Sequence, residues 1–165
     1  MRWRFFPSRE REWNVVVENH KIPVSVLVVI HTPDMQILLL ERADHPGYWQ
    51  SVTGSLDPGE TPEQAARREV KEETGLNTES YELSDLQTCN VYEIYPEWRH
   101  RYAPGVTHNT EHVFALRVSQ PLPITVAPRE HLAHRWLPWK EAAQVVFSPS
   151  NASAILKLAD APDKA

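Results

Sequence analysis

The sequence is poor in cysteine, in long apolar runs and in excess positive charge, and each shortage excludes a class of protein. The one cysteine among 165 residues, Cys89, rules out an internal disulfide framework and is typical of a reducing compartment. The longest aliphatic run, residues 26–30, is far shorter than the roughly 20 residues that a membrane span needs. Seventeen basic residues against 22 acidic ones give a net charge of −5, which argues against indiscriminate binding to nucleic acid or anionic membranes. We therefore expect a cytoplasmic protein that binds neither, while its oligomeric state stays open.

Length and apolar content predict a single folded domain. Hydrophobic residues make up 41% of the chain and charged residues 24%, proportions of an ordinary globular protein with one core. Residues 1–20 mix basic and aromatic side chains without a helical or strand period. We expect an N-terminal extension there and one domain over residues 21–165.

The hydrophobic pattern predicts a sheet interrupted by helices. Residues 24–30 form a nearly continuous β-branched run, which is typical of a strand covered on both faces. Further strands are predicted at residues 37–40, 48–53, 84–95, 111–118 and 132–137. Helices are predicted at residues 62–74, 139–146 and 150–159. Strands before and after a strong helix favour an α/β or α+β class with a mixed sheet.

The helix expected at residues 62–74 has both of its ends marked. Thr61 is a good N-cap, Pro62 suits the first helical position, and Gln64 completes a capping box with Thr61. Gly75 stands where a helix commonly ends in a left-handed residue.

The second half of this helix carries an acidic stripe that local stability opposes. At 100° per residue, Glu69, Glu72 and Glu73 fall within one stripe about 100° wide. Their like charges repel one another, and they lie where the helix dipole is already negative. A divalent cation would reverse both effects, because carboxylate oxygens are the ligands that Mg²⁺ and Mn²⁺ prefer. The alternative is a solvated acidic face softened by the basic residues interleaved with it.

The residues around the stripe fit a known family signature. Nine positions between residues 54 and 76 resemble the motif of the Nudix hydrolases: Gly54, Glu60, Arg68, Glu69, Val70, Glu72, Glu73, Gly75 and Leu76. That family cleaves phosphoanhydrides of substrates in which a diphosphate is linked to another group, using water and a divalent metal. The resemblance implies an α/β/α sandwich with a mixed β-sheet and a metal-dependent pyrophosphohydrolase.

The resemblance also implies roles for the residues of the motif. Glu69 and Glu73 are the expected metal ligands, and Glu72 is a third ligand or lies just behind the ligands. Glu60 and Arg68 would pair and hold the loop against the helix, while Gly54 and Gly59 would let the loop backbone bend. The expected metal is Mg²⁺, with Mn²⁺ as the alternative.

Segments outside the motif resemble a branch of the family that acts on a pterin triphosphate in bacteria. They are residues 48–55, 99–107, 109–111 and 130–136. The implied products are the pterin monophosphate and pyrophosphate. Glu130 is the candidate third carboxylate, as a metal ligand or a general base. A Nudix hydrolase of purine nucleotides such as dATP or oxidised dGTP stays open as an alternative. So does a binding module without catalysis, although the intact glutamates of the motif count against it.

The implied substrate-binding residues lie mostly outside the motif. The ends of predicted strands supply Lys21 and Arg42 for phosphates, and Thr53 and Ser148 offer hydroxyls. Glu93 would accept from the amino and imino donors of the pterin if it points inward, but a plain strand with alternating exposure explains its segment equally well. The full set of substrate-binding candidates is Lys21, Arg42, Thr53, Tyr92, Glu93, Ile94, Tyr95, His131 and Ser148.

Two further groups of side chains have a structural explanation. Arg99, His100 and Arg101 lie in a long polar loop at residues 96–109, where they would contact phosphate or, as we favour, cap the carbonyls of the loop itself. Cys89 is expected to be buried packing within a strand.

Overall fold

The architecture is a mixed sheet with helices against it. The computed structural model describes residues 19–161, so the predicted extension at residues 1–20 lies almost entirely outside the described residues. The strands are β1 (Val24–His31), β2 (Gln36–Arg42), β3 (Trp49–Gln50), β4 (Val52–Ser55), β5 (Glu82–Glu93), β6 (His108–Arg117) and β7 (His131–Pro138). The helices are α1 (Pro62–Thr74), α2 (Trp139–Val145) and α3 (Pro149–Asp160), with short 3₁₀ helices at Thr78–Ser80 and Pro96–Arg101. The mixed sheet with flanking helices confirms the predicted fold class.

Several predicted boundaries differ from the structure, and β5, for example, covers Glu82–Glu93 instead of residues 84–95. The strand expected at residues 48–53 is two strands, because the backbone N–H of Ser51 between them donates to Asn151 Oδ1 of α3 at 2.8 Å. The long polar loop contains the 3₁₀ helix Pro96–Arg101, and β6 begins at His108 rather than at residue 111.

The first helix follows its sequence signals. Gln64 N–H donates to Thr61 Oγ1 at 3.2 Å, and Thr61 N–H donates to Gln64 Oε1 at 2.9 Å, so the predicted capping box is present. The helix ends at Gly75, which has φ 76° and donates its N–H to Lys71 O. The boundaries predicted for this helix are confirmed.

The central strand β1 has different partners along its length, and this opens the sheet. It runs parallel to β6 over its whole length and antiparallel to β4 from Ser25 to Val28, whereas its last residue pairs with Ile37 of β2. The order is β3-β2-β1-β6-β5, with β4 paired to β1 and β7 paired to β2. One edge of β1 thus pairs first with β4 and then with β2. The sheet is open between β4 and β2.

The two faces of β1 pack into two cores. Val26, Val28 and Ile30 pack against α1, while Leu27 and Val29 pack towards α2 and α3. Each of these five side chains is almost fully buried, as the β-branched run predicted. Burying one such side chain stabilises the fold by roughly 1.5–3 kcal/mol, so the central strand is a rigid support for polar groups at its start. None of the three helices within residues 19–161 is both long and apolar enough to cross a membrane.

Candidate active site

The acidic stripe of α1 faces the protein rather than the solvent. Glu69 is 8% exposed and Glu73 is 3% exposed, whereas the side chain of Glu72 is 54% exposed. The alternative of a solvated acidic face therefore holds only for Glu72. Two buried carboxylates one turn apart are costly in a low-dielectric environment unless a positive charge or hydrogen-bond donors compensate them.

Glu69 lies directly on the backbone of β4. A Cβ added at Gly54 would lie 2.0 Å from Glu69 Oε1 and 2.1 Å from its carboxyl carbon, a separation that no side chain tolerates. Gly54 is therefore a glycine because a carboxylate packs on its Cα, and the predicted role in bending the loop was wrong for this residue. Gly59 does bend the loop, with φ 79°.

Arg68 connects the loop to the acidic helix. Its guanidinium donates to both carboxylate oxygens of Glu60 at 2.8 Å and to Ser55 O at 2.9 Å. A further N–H donates to Glu69 Oε1 at 2.7 Å. Hydrogen bonds from Arg68 lower the pKa of Glu60, and Glu60 in turn raises the pKa of Arg68. The predicted pairing of Glu60 with Arg68 is confirmed, and Arg68 also fixes the position of Glu69.

The buried glutamates are short of positive charge. Burial, reinforced by the negative charge of Glu73, raises the pKa of Glu69 to about 7, against the opposing effect of Arg68. Burial also raises the pKa of Glu73, although His131 opposes the rise. A divalent cation beside these carboxylates would hold both in the ionised form.

The donor atoms that converge most closely belong to Glu73, Glu130 and His131. Each offers one ligand atom, and these atoms lie within 4.8 Å of one another. His131 Nε2 is 3.3 Å from Glu73 Oε2, which makes an ion pair when the imidazole is protonated, and Glu73 raises the pKa of His131 against the effect of burial. The carboxylate oxygens of this cluster suit a hard divalent cation, whereas an imidazole is more typical of zinc sites. Two of these residues, Glu73 and Glu130, belong to the predicted ligand set, whose third member, Glu69, stays a prediction; His131 was expected among the substrate-binding residues.

One cavity of about 980 Å³ contains all the predicted site residues. It extends from α1 across the open edge of the sheet to the loop before β6 and the start of α3. Its lining includes the four candidate catalytic glutamates and the nine candidate substrate-binding residues: Lys21, Arg42, Thr53, Glu69, Glu72, Glu73, Tyr92, Glu93, Ile94, Tyr95, Glu130, His131 and Ser148. The fold therefore brings together side chains that are up to 127 positions apart in the sequence.

Cations lie near the acidic residues in this cavity. Arg42 donates to Asp44 through Nε at 2.8 Å and Nη2 at 2.7 Å and to Gln50 Oε1 at 3.0 Å, and these bonds hold the pKa of Asp44 well below its usual range. Burial, followed by the charge of Arg101, lowers the pKa of Lys21. A cation held in place by its neighbours needs little reorganisation to bind phosphate.

An aromatic wall flanks these cations, and the sequence prediction missed it. The Arg42 guanidinium lies 4.7 Å from the ring centre of Trp98 and 5.9 Å from that of Phe147. The rings of Tyr48 and Phe147 are stacked with centroids 4.9 Å apart. Trp98 and Phe147 line the cavity and offer flat apolar surfaces to a ring system. The aromatic residues of the long loop were the available signal for this wall.

Several candidate side chains already have protein partners. The Thr53 hydroxyl donates to Val26 O at 2.9 Å, and the Ser148 and Ser150 hydroxyls are 2.9 Å apart. Arg99 donates to the Glu93 carboxylate, whose side chain is 67% exposed, and to Ile94 O at 3.0 Å. The predicted loop-organising role of Arg99 is therefore confirmed.

The prediction for Cys89 was wrong. This residue is exposed on β5, and its Sγ lies 3.3 Å from Nδ1 of His112 on the neighbouring strand. The strand β5 is at the edge of the sheet. Alternate side chains of an edge strand face solvent, whereas an inner strand would bury them.

Buried carboxylates, adjacent cations and a large cavity are typical of a hydrolase that acts on phosphorylated small molecules. The family model for the NUDIX domain matches residues 21–158, and the chain belongs to the Nudix family. The family resemblance read from the motif is confirmed, and Nudix hydrolases generally use divalent metals.

Named relatives are similar over most of the chain. The dihydroneopterin triphosphate diphosphatase of Escherichia coli K12 is 48% identical over 139 residues, which are 82% of this chain and 91% of that protein. The Haemophilus influenzae protein of the same name is 42% identical over 137 residues, 81% of this chain and 85% of that protein. The solved structure of the E. coli dihydroneopterin triphosphate pyrophosphohydrolase matches with a TM-score of 0.79 and 48% identity, over 84% of this chain and 95% of that one.

Proposed function

We propose that this protein hydrolyses dihydroneopterin triphosphate to dihydroneopterin monophosphate and pyrophosphate. The observation that carries the proposal is the 48% identity to the E. coli diphosphatase over 82% of the chain. The cavity supports it, because its cations and buried carboxylates adjoin an aromatic wall and a polar recess in one continuous space. We also propose that residues 21–165 form one catalytic domain, and a cytoplasmic location stays a prediction.

We propose Mg²⁺, with Mn²⁺ as the alternative, as the metal. Glu69, Glu73 and Glu130 would hold it, with Glu72 beside them on α1 and His131 next to Glu73. When bound, a divalent cation supplies positive charge that offsets the triphosphate and acidifies water near it. Carboxylate oxygens suit these hard cations, and the buried Glu73 Oε2 supplies one.

The remaining work falls to protein side chains. The cations Lys21, Arg42 and Arg101, which line the cavity, bind the phosphates. They orient the triphosphate group of the substrate. Glu130, which is exposed next to the buried His131, is placed to accept a proton from the attacking water or to complete the ligand set. Arg68 keeps Glu69 in position through the 2.7 Å hydrogen bond to its carboxylate.

The test is pyrophosphate release with Mg²⁺, with dihydroneopterin triphosphate and dATP compared as separate substrates. We expect kcat/KM to favour the pterin by about 100-fold, which is about 2.7 kcal/mol of discrimination. Comparable values would replace the proposal with a broad purine nucleotide hydrolase. Absence of release from either substrate, in protein that remains folded and is supplied with metal, would overturn the enzymatic proposal itself.

A further inference from the structure

One part of the cavity contains a buried carboxyl group that no step above uses. Glu111 of β6 is 4% exposed and lines the cavity together with Asn109, which is 1% exposed. Glu111 pairs in register with Ser25 of β1 and with Asn90 of β5, so it lies in the middle of the sheet rather than at an edge. A buried glutamate in the interior of a sheet requires compensation.

The protein compensates this carboxyl group only in part. Burial raises the pKa of Glu111, and hydrogen bonds from Ser150 and Asn90 oppose the rise; the Asn90 bond to Oε1 is long, at 3.4 Å. Its neighbour Asn109 donates to Ser25 Oγ at 2.7 Å and to the Tyr92 hydroxyl at 3.1 Å, but Asn109 Oδ1 has no partner among the described residues. The recess therefore presents the acceptor oxygens of Glu111 and Asn109 to a ligand, beside hydroxyls that already bond within the protein. N–H groups of a ligand would satisfy these acceptors.

The recess is at a useful distance from the phosphate-binding end. Thr53, whose backbone N–H lowers the pKa of Glu73, pairs with Leu27 of β1, while Glu111 pairs with Ser25 across the other edge of that strand. Two strand spacings sideways and two residues along the strand give about 12 Å between Thr53 and Glu111. That is roughly the span from the amino edge of a pterin to the phosphates beyond its three-carbon side chain.

We propose that Glu111 is the specificity residue that recognises the amino edge of the substrate ring, an inference that rests on the proposed function. The 2-amino-4-oxo ring of a pterin carries an amino group beside a ring N–H, two donors that point the same way. The two oxygens of a carboxylate accept both in a paired arrangement. Guanine has the same edge. Adenine places its amino group beside a ring nitrogen that accepts, so a carboxylate facing it leaves one oxygen against a lone pair.

Glu93, the residue to which the sequence assigned this recognition, is less suited to it. The Glu93 side chain is 67% exposed and its carboxylate already accepts from Arg99. An exposed and paired carboxylate gains little from a new hydrogen bond, whereas a buried and poorly satisfied one gains more. The two glutamates therefore make opposite predictions for one experiment.

The experiment measures whether Glu111→Gln changes the preference between dihydroneopterin triphosphate and dATP. A glutamine presents one donor and one acceptor, which complement the adenine edge and mismatch the pterin edge. We expect kcat/KM for dihydroneopterin triphosphate to fall by about 10- to 100-fold, as for the loss of a paired contact to a base edge, while kcat/KM for dATP stays level or rises. Retained dATP turnover shows that the catalytic residues are intact. Glu82→Gln, an exposed change on β5 outside the cavity, is the matched control and leaves both values unchanged.

If Glu111→Gln lowers kcat/KM equally for both substrates, or leaves their ratio unchanged, the proposal is wrong. If Glu93→Gln changes the preference instead, the recognition role belongs to Glu93. If Glu111→Gln does not fold, competition by dGTP and dITP, which differ only in the amino group, decides the matter in Glu93→Gln, where the rival carboxylate is absent. We expect dGTP to compete at least about 10-fold more strongly; equal competition would count against Glu111. The proposed function fails separately, if wild-type protein does not hydrolyse the pterin triphosphate at all.

Discussion

Replacing Gly54 with alanine tests whether the position of the Glu69 carboxylate governs catalysis. The added Cβ would lie 2.0 Å from Glu69 Oε1, whereas ordinary van der Waals contact begins near 3.4 Å. The carboxylate must therefore retreat by about 1.4 Å, the difference between these distances. Because Arg68 holds the same oxygen at 2.7 Å, this retreat also disturbs the link between loop and helix.

A displacement of this size is large for a catalytic group. Moving a reacting or ligating group by about 1 Å can reduce the rate by about 100-fold, or about 2.7 kcal/mol in the activation free energy. We expect Gly54→Ala to lose at least that much in kcat while the protein remains folded. The displaced atoms are the end of a flexible side chain, so the backbone of β4 is largely spared.

The assay is kcat for pyrophosphate release, with the melting temperature measured on the same samples. Gly47→Ala is the control, because a Cβ there meets nothing within 4 Å and the residue does not line the cavity. Since Gly47 has φ 92°, its replacement costs stability through backbone strain but leaves kcat unchanged. Near-normal kcat in Gly54→Ala would refute the reasoning.

A double-mutant cycle isolates the clash from other effects of the new methyl group. In a Glu69→Ala background the carboxylate is gone, so Gly54→Ala has room and costs little further stability. If Gly54→Ala destabilises both backgrounds equally, the contact between Gly54 and Glu69 is not the cause of its effect.

Three further changes test the rest of the site. Glu73→Gln should remove most turnover and leave the melting temperature near that of the wild type, because the neutral amide relieves a buried charge; a near-normal kcat would contradict the metal-ligand role. Glu130→Ala should lower kcat more than it raises KM, and a pure KM effect in steady-state kinetics would move Glu130 to substrate binding. Glu60→Gln should lower the unfolding free energy by about 1–2 kcal/mol at pH 7. Since Arg68 lowers the pKa of Glu60 from 4.5, the stabilisation is present above pH 4.5 and is lost as the pH falls through the lower folded value. Urea unfolding at pH 7 and pH 3 should therefore show a difference from the wild type that shrinks in acid, and a constant difference would contradict the assignment.

Local chemistry made much of the fold predictable from the sequence. The bounds of α1 follow from Thr61, Pro62 and Gly75, whose backbone preferences act over only a few residues. The double-sided burial of β1 follows from its β-branched run. The acidic residues of the site were predictable because their spacing on one helix needs only the helical period, and the family signature identified the rest of the motif.

Features that depend on pairing between distant segments were not predictable in this way. The convergence of Glu73 with His131 depends on β7 joining the far side of β2, and the position of Glu111 depends on its parallel register with Ser25. A single sequence carries no local signal for such registers. The misplaced expectation for Cys89 has the same origin, because strand composition does not reveal which strand forms the edge.

The buried carboxylates at the two ends of the cavity have different neighbours, and this difference favours one orientation of the substrate. At the α1 end, Glu69 accepts from Arg68 and lies near Lys21, and a divalent cation beside the glutamates would attract phosphate. At the β6 end, burial raises the pKa of Glu111 and only neutral groups donate to it, and in its ionised form this carboxylate would repel phosphate. A molecule with an anionic tail and an N–H-rich ring therefore has one favourable orientation, which places its anhydrides beside the acidic helix before any catalytic contact is made.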